Sequence, residues 1–322
     1  MILEPRSVII PIASGKGGVG KSVFAASLAI SLAGQGEEVV AVDLDLGGAN
    51  LHTYLGLPNT NPGIGDFLKQ RHDRLQDLLV PTAIDKLRFL PGDGKTPFMA
   101  NISTQQRHKL LEQLKQLPAR YVIVDLGAGS ALNTMNLFGL TASGIMVTTM
   151  DTPALMNALV FLRNFMFANI LSLAADHPPV KKMLLELYRR PANGTNLTVD
   201  EVYHRIAGHD PLLAREIREH CGRFSPRFVY NMADQAEDLR VAKKVSATLK
   251  KNISLTSSTL GLLFHDPAVR IAVRKNRVFL KDRPDTPYAR GLAAIVARLQ
   301  NPANNPAPHL ENLISEARGH QA

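Results

Sequence analysis

The sequence predicts a doubly wound α/β fold: a mostly parallel sheet with helices on both faces, interrupted late in the chain by a helical insertion. Three observations carry this. Apolar runs rich in β-branched residues alternate with helical segments along most of the 322 residues, the pattern of a parallel sheet covered on both sides. The first of these runs passes through a glycine-rich loop directly into a helix. Several runs end in aspartate or asparagine, so polar groups gather at the carboxyl ends of the strands, where such sheets bind ligands.

In chain order, strands are expected near 7–14, 38–45, 86–91, 121–126, 144–150, 227–232 and 259–264. Helices fall between them, at 22–33, 104–117, 133–142 and 286–300 among others. Ser7 to Ala13 is apolar and β-branched, as a buried strand should be. Residues 14–22 then read Ser-Gly-Lys-Gly-Gly-Val-Gly-Lys-Ser, a fit to G-x-x-x-x-G-K-[ST]. Gly15, Gly17, Gly18 and Gly20, with Val19 among them, let the backbone wrap a phosphate chain with its N–H groups inward. The helix that follows adds the positive end of its dipole. Lys21 is placed to reach β- and γ-phosphates, and the Ser22 hydroxyl to bind Mg²⁺. The stretch resembles the phosphate loop of the P-loop NTPases.

A second lysine, Lys16, follows the first glycine, and K-G-G-x-G-K-[ST] resembles the deviant phosphate loop of the MinD/ParA family of ATPases. The resemblance implies ATP and Mg²⁺ as ligands, and an ATP-dependent homodimer in which Lys16 contacts the nucleotide of the other subunit. The strand Glu38–Asp45 ends in Asp43-Leu44-Asp45, similar to the family's first switch, and alternation puts both acids on one side. Two acids so close are costly without a cation or a water network. By resemblance Asp45 positions the attacking water, and Asp43 helps hold the metal and lysine network. Tyr121–Gly129 resembles the Walker B and second-switch segment, with Asp125 on Mg²⁺ through water and the Gly129 N–H at the γ-phosphate. Asn231, ending the strand 227–232, resembles the adenine-reading position, and a turn asparagine is the other reading. Asp266-Pro267, in a stretch similar to a loop beside the base, reads as a helix cap.

About 70 residues separate Asp151-Thr152-Pro153 from Arg227, where one crossover helix would suffice. Asn157–Ala175 is a long apolar helix, and three shorter pieces follow Pro178-Pro179, one opened by the capping box Thr198-Val199-Asp200-Glu201. The organisation expected is one domain over 1–300 with an insertion at about 176–226, then a linker and tail at 301–322. The insertion either extends the core or docks a partner.

Composition constrains the setting. The chain has 37 Lys+Arg against 28 Asp+Glu, and one cysteine, Cys221. A single cysteine forms no internal disulfide and fits a reducing cytoplasm. No uncharged apolar run of membrane-spanning length is evident, and Met1–Arg6 leads directly into the first strand, leaving no room for a signal peptide. The sequons at 193–198 carry no meaning in a cytoplasmic protein. Basic residues concentrate at 240–283, and Lys243, Lys244, Lys250 and Lys251 fall near one face of a helix. Nonspecific DNA or an anionic membrane would suit that face, and a solvated surface is the plain alternative. A helix at 309–318 carries Glu311 and Glu316 and too small an apolar face to bind lipid well.

Within the family the chain most resembles the MinD-like regulators of flagellar number and placement. The implied function is a slow ATPase acting as a dimerisation switch for a flagellum or septum type of structure, through an unidentified protein partner. The alternative is a ParA-like ATPase that segregates DNA or cargo on nonspecific DNA. The heptapeptide Asp234–Arg240 matches a partner-stimulating motif of the regulators, D-Q-A-x-x-L-R, but lies far from the N-terminus and is taken as coincidence.

Overall fold

The computed structural model describes residues 7–45, 47–92, 102–189, 198–275, 277–301 and 308–321. Leu46, the sequons up to Leu197, and the linker at 302–307 lie outside the described residues.

The chain runs β1 (Val8–Ala13), α1 (Lys21–Gly34), β2 (Val39–Leu44), α2 (Leu51–Tyr54), α3 (Ile64–Leu68), β3 (Val80–Pro81), β4 (Leu87–Leu90), α4 (Thr104–Lys115), β5 (Tyr121–Leu126), α5 (Leu132–Phe138) and β6 (Ile145–Thr148). It continues through α6 (Thr152–Leu173), α7 (Pro178–Arg189), α8 (Val199–Ala207), α9 (Pro211–Cys221), β7 (Arg227–Ala233), α10 (Val241–Ile253) and β8 (Ser258–Phe264). It closes with α11 (Pro267–Arg274), α12 (Phe279–Asp282), α13 (Pro287–Gln300) and α14 (Leu310–Gln321). The strands form one sheet in the order β3-β4-β2-β5-β1-β6-β7-β8. Every pairing is parallel except β3 with β4.

The expected fold is therefore present, with all seven expected strands. The two-residue β3 was not expected, being too short for a periodic signal. The helix expected at 133–142 stops at Phe138.

The sheet is buried on both faces because its strands are mostly apolar, with Asp43, Asp125, Thr148 and Asn231 among the buried polar exceptions toward their carboxyl ends. On β2, Val39 and Ala41 join one core while Val40, Val42 and Leu44 join the other. Helices α1, α2, α11, α12 and α13 cover the first face. The remaining long helices, including the insertion and α14, cover the second.

One helix carries a long apolar stretch broken by a single charge. Helix α6 is 22 residues long and apolar enough in length and composition to cross a membrane, with Arg163 its one charged residue. The reason lies in its packing: Phe161, Leu162, Phe165, Met166 and Ile170 are buried between the sheet and helices α5, α9 and α10. A helix covered on several sides is apolar on several sides.

The insertion is built as the caps indicate. Thr198 accepts the Glu201 N–H at 3.2 Å while Glu201 accepts the Thr198 N–H at 2.8 Å, opening α8. Asp210 caps α9 through Leu213 N. The segment expected as a tail ends in α14, which packs back on the domain with Leu313, Ile314 and Ala317 buried. Glu316 pairs with Arg298, Arg318 with Glu237, and Gln321 donates to the Asp234 carbonyl.

Candidate nucleotide site

β1 lies between β5 and β6, so the chain leaves it in opposite directions along the sheet. A crevice opens at such a switch point, and the glycine-rich loop occupies it. Gly18 and Gly20 both have φ of +82°, a left-handed conformation that favours glycine. Gly15 is needed for a different reason: a Cβ there would lie 2.2 Å from the Asn157 carbonyl carbon, inside the backbone of α6.

The two loop lysines have opposite settings. Lys21, 7% exposed, donates to Asp125 Oδ1 at 2.6 Å and to Ser22 Oγ at 3.3 Å. Lys16 is about a third exposed and pairs with Asp151 at 3.2 Å. Asp151 also caps α6 through Ala154 N and accepts the Thr149 hydroxyl. These hydrogen bonds, Thr149 first, then Ala154 and Lys16, hold its carboxyl below the usual range.

Asp43 and Asp125 stand side by side in register across β2 and β5. Both occupy odd positions of their strands, so both point to the α1 face, where Lys21 begins the helix. Asp43 is fully buried, and its two oxygens accept Asp45 N at 3.1 Å and Leu51 N at 2.9 Å. Burial, then the adjacent Asp125 charge, raises its carboxyl to about 7. Asp125 is raised by burial as well, with Lys21 opposing. Asp45 is half-buried, and a Cβ at Gly127 would lie 3.4 Å from its Oδ1. Gly129 has φ of +81° and donates its N–H to the Ser14 carbonyl at 3.0 Å. The N–H expected at a γ-phosphate is thus engaged by the first residue of the loop.

The donor set suits a hard cation. Asp125 Oδ2 is buried with no hydrogen-bond partner, the Ser22 hydroxyl is on the same lysine, and all the donors are oxygens. Among the described residues no cluster of three or more His, Cys, Asp or Glu is placed to hold a metal.

Asn231 is 3% exposed and donates Nδ2 to the Val19 carbonyl at 2.9 Å, so it touches the loop itself. A Cβ at Gly20 would fall 2.2 Å from that Nδ2. The register of β7 against β8 shifts between Tyr230 and Ala233, and Met232 sits at φ +59°. Such a bulge re-aims side chains at a strand end, and here it aims Asn231 at the loop. Beyond it lies a cavity of about 410 Å³, running from Gly20 past Asn231 to Phe264 and Arg270. Asp266 accepts Ala268 N and caps α11, as expected.

The sequence reading missed Asp151 and Tyr54. Asp151 had a legible signal: like Asp45 after β2, it follows the buried strand β6 closely. Tyr54, on α2, lines the cavity and had no local signal.

A family model described as the CobQ/CobB/MinD/ParA nucleotide binding domain matches residues 10–272. The flagellum site-determining protein YlxH of Helicobacter pylori is 28% identical over 254 residues, 75% of this chain and 84% of that protein. The septum site-determining protein MinD of Bacillus subtilis is 33% identical over 150 residues, 46% of this chain and 56% of that protein. The chain spans about half the length of the MinD relatives it matches. Among solved structures, MinD of Pyrococcus horikoshii complexed with Mg-ADP has a TM-score of 0.60 at 20% identity, covering 92% of this chain and 97% of that one. A ParA family ATPase of Chlorobium tepidum has 0.60 at 19% identity, covering 91% and 99%. At such identities the two solved structures show the fold alone. The loop with its two lysines, the paired acids at the switch point and a family match over most of the length converge: this chain belongs to the CobQ/CobB/MinD/ParA nucleotide-binding domain family.

Proposed function

We propose that the chain is an ATP-binding, slowly hydrolysing dimerisation switch that positions or regulates a cellular structure of the septum or flagellum type. The observation that carries this is the division between the two loop lysines. Lys21 is buried and committed to Asp125, whereas Lys16 is on the surface in an ion pair that water already weakens. A lysine so placed is free to serve a nucleotide bound by a second copy. The names of the relatives, one for septum placement and one for flagellum placement, support the positioning role.

In this reading Lys21 and the loop amides hold the phosphates of ATP. Ser22, with Asp125 through water, would hold Mg²⁺, which would offset charge on the phosphate oxygens, and Asp43 beside Asp125 helps hold that metal and lysine network. Asp45 orients the attacking water. The Gly129 N–H exchanges Ser14 for the γ-phosphate, and Asn231 faces the base. Lys16 of the second copy meets charge that develops on the transferred group, as an arginine finger does.

The test uses Lys16→Ala, because Lys21→Ala would also strand a buried Asp125 and cost about 3 kcal/mol of stability. Lys16→Ala is expected to keep ATP affinity while turnover falls on the order of a hundredfold or more. Asp45→Ala is expected to bind ATP without turning it over and to sediment as a dimer. Wild-type hydrolysis by Lys16→Ala would end the two-subunit reading.

A second reading, a ParA-like ATPase on DNA, is favoured by one observation. Lys243, Lys244, Lys250 and Lys251 are all exposed on α10, and none joins a salt bridge among the described residues. DNA or an anionic membrane surface would suit them. The insertion beside them is the proposed seat of a protein partner.

A further inference from the structure

We propose that Tyr54 is a nucleoside-positioning residue, its ring forming part of the wall of the cavity that begins at Gly20 and passes Asn231. The inference rests on the nucleotide reading above and adds to it a residue that neither the motifs nor the family match assigns.

The direction of the ligand follows from the loop. Phosphates held at the N-terminus of α1 leave the nucleoside to lie along the first turn of that helix and into the adjoining space. That space is the 410 Å³ cavity, whose wall includes Gly20, Val23 and Asn231. Three Phe or Tyr residues line it: Tyr54, Phe264 and Tyr288. Two of them are committed elsewhere. Tyr288 is 2% exposed and its hydroxyl bonds Ser27 Oγ at 3.3 Å. Phe264 is 5% exposed within β8. Tyr54 is half-buried, and its hydroxyl has no hydrogen-bond partner among the described residues. It therefore retains ring surface for a base or ribose and a free polar end, the combination that recurs where one side of a ring is apolar and the other wet.

Its placement also links the nucleoside to the acids. Tyr54 ends a four-residue helix that begins at Leu51. The Leu51 N–H holds Asp43 Oδ2 at 2.9 Å, in register with Asp125. A nucleoside resting on Tyr54 thus fixes the same short helix that orients the acid pair, which bare phosphates would not do.

The experiment is calorimetric binding of ATP, ADP and inorganic tripolyphosphate, each with Mg²⁺, to the full chain and to Tyr54→Ala, Tyr54→Phe and Tyr54→Trp. Base–aromatic stacking of ordinary strength predicts that Tyr54→Ala binds ATP and ADP about tenfold more weakly, while tripolyphosphate binding stays within about twofold. Tyr54→Phe keeps most of the affinity. The chain contains no tryptophan, so Tyr54→Trp carries a unique reporter whose emission should shift on saturation with ADP. Equal ATP affinity in wild type and Tyr54→Ala overturns the inference. So does a parallel loss of ATP and tripolyphosphate, which would mark Tyr54 as a support of the loop, or a Tyr54→Trp emission unmoved by ADP. A wild-type chain that binds none of the three ligands fails differently: it removes the nucleotide reading, and this inference with it.

Discussion

Asp43 shows how one residue makes the site sensitive to its surroundings. In the unfolded chain it titrates near 3.8, and in the native chain near 7. Between those values the native state holds the extra proton, so the contribution of Asp43 to stability is fully present below about pH 4 and is lost as pH rises toward about 7. The slope from one such group reaches about 1.4 kcal/mol per pH unit at most. Asp43→Asn has no titration in that window. The unfolding free energy of wild type minus that of the variant should therefore fall between pH 5 and pH 7.5, measured by urea titration in EDTA. A difference that stays flat would mean that Asp43 is ionised throughout. Charge of this kind is tolerable at a nucleotide site because a bound cation offsets it.

At the scale of elements, the site depends on where helices stop and strands bend. The N-terminal part of α6 meets the loop, with Asn157 against Gly15 and the cap Asp151 on Lys16, and the same helix packs on α9 of the insertion. The bulge near Met232 turns the end of β7 so that Asn231 reaches Val19 rather than continuing the ladder. Helix α14 belongs to this level too, since it covers β8, the last strand of the sheet. An uncovered edge strand invites pairing with other chains. Arg298 adds to the cover by donating to the Leu260 carbonyl at 2.6 Å. Ile314 is 1% exposed, so Ile314→Ala is expected to cost about 2–4 kcal/mol in urea unfolding. A loss below about 0.5 kcal/mol, the size of a surface effect, would show that α14 is detached in solution.

For the whole molecule the deciding property is charge. The formal net charge is +9, and the four lysines of α10 lie on one exposed stretch of it. If that face meets DNA or anionic lipid, a dimer presents it twice and binds more tightly than a monomer. Affinity should then fall steeply with salt, as counterion release loses its advantage. Changing Lys243, Lys244, Lys250 and Lys251 together to Glu is expected to remove surface binding and spare ATP hydrolysis, read by co-sedimentation with DNA or with vesicles containing acidic lipid. An ATP-bound wild type that ignores both at low salt would leave a solvated face, with output through protein partners at the insertion.

The sequence by itself determined whatever is carried by neighbours a few residues apart. Loop spacing marked Lys16, Lys21 and Ser22, and strand alternation put Asp43 on the face of Val39 and Ala41. The caps Thr198, Asp210 and Asp266 marked their helices, and a seven-residue interval put the lysines of α10 on one face. These are matters of backbone geometry and periodicity, which a short stretch specifies alone. Tertiary structure decided the partners of those groups. Lys16 meets Asp151, 135 positions away, and Asn231 meets Val19 across 212. Tyr54 enters a cavity with Phe264, Gly129 engages Ser14, and α14 returns to the core. Each of these depends on the order of strands in the sheet and on how helices pack over it. That order comes from burying apolar surface summed over the whole chain, and no local spacing records it.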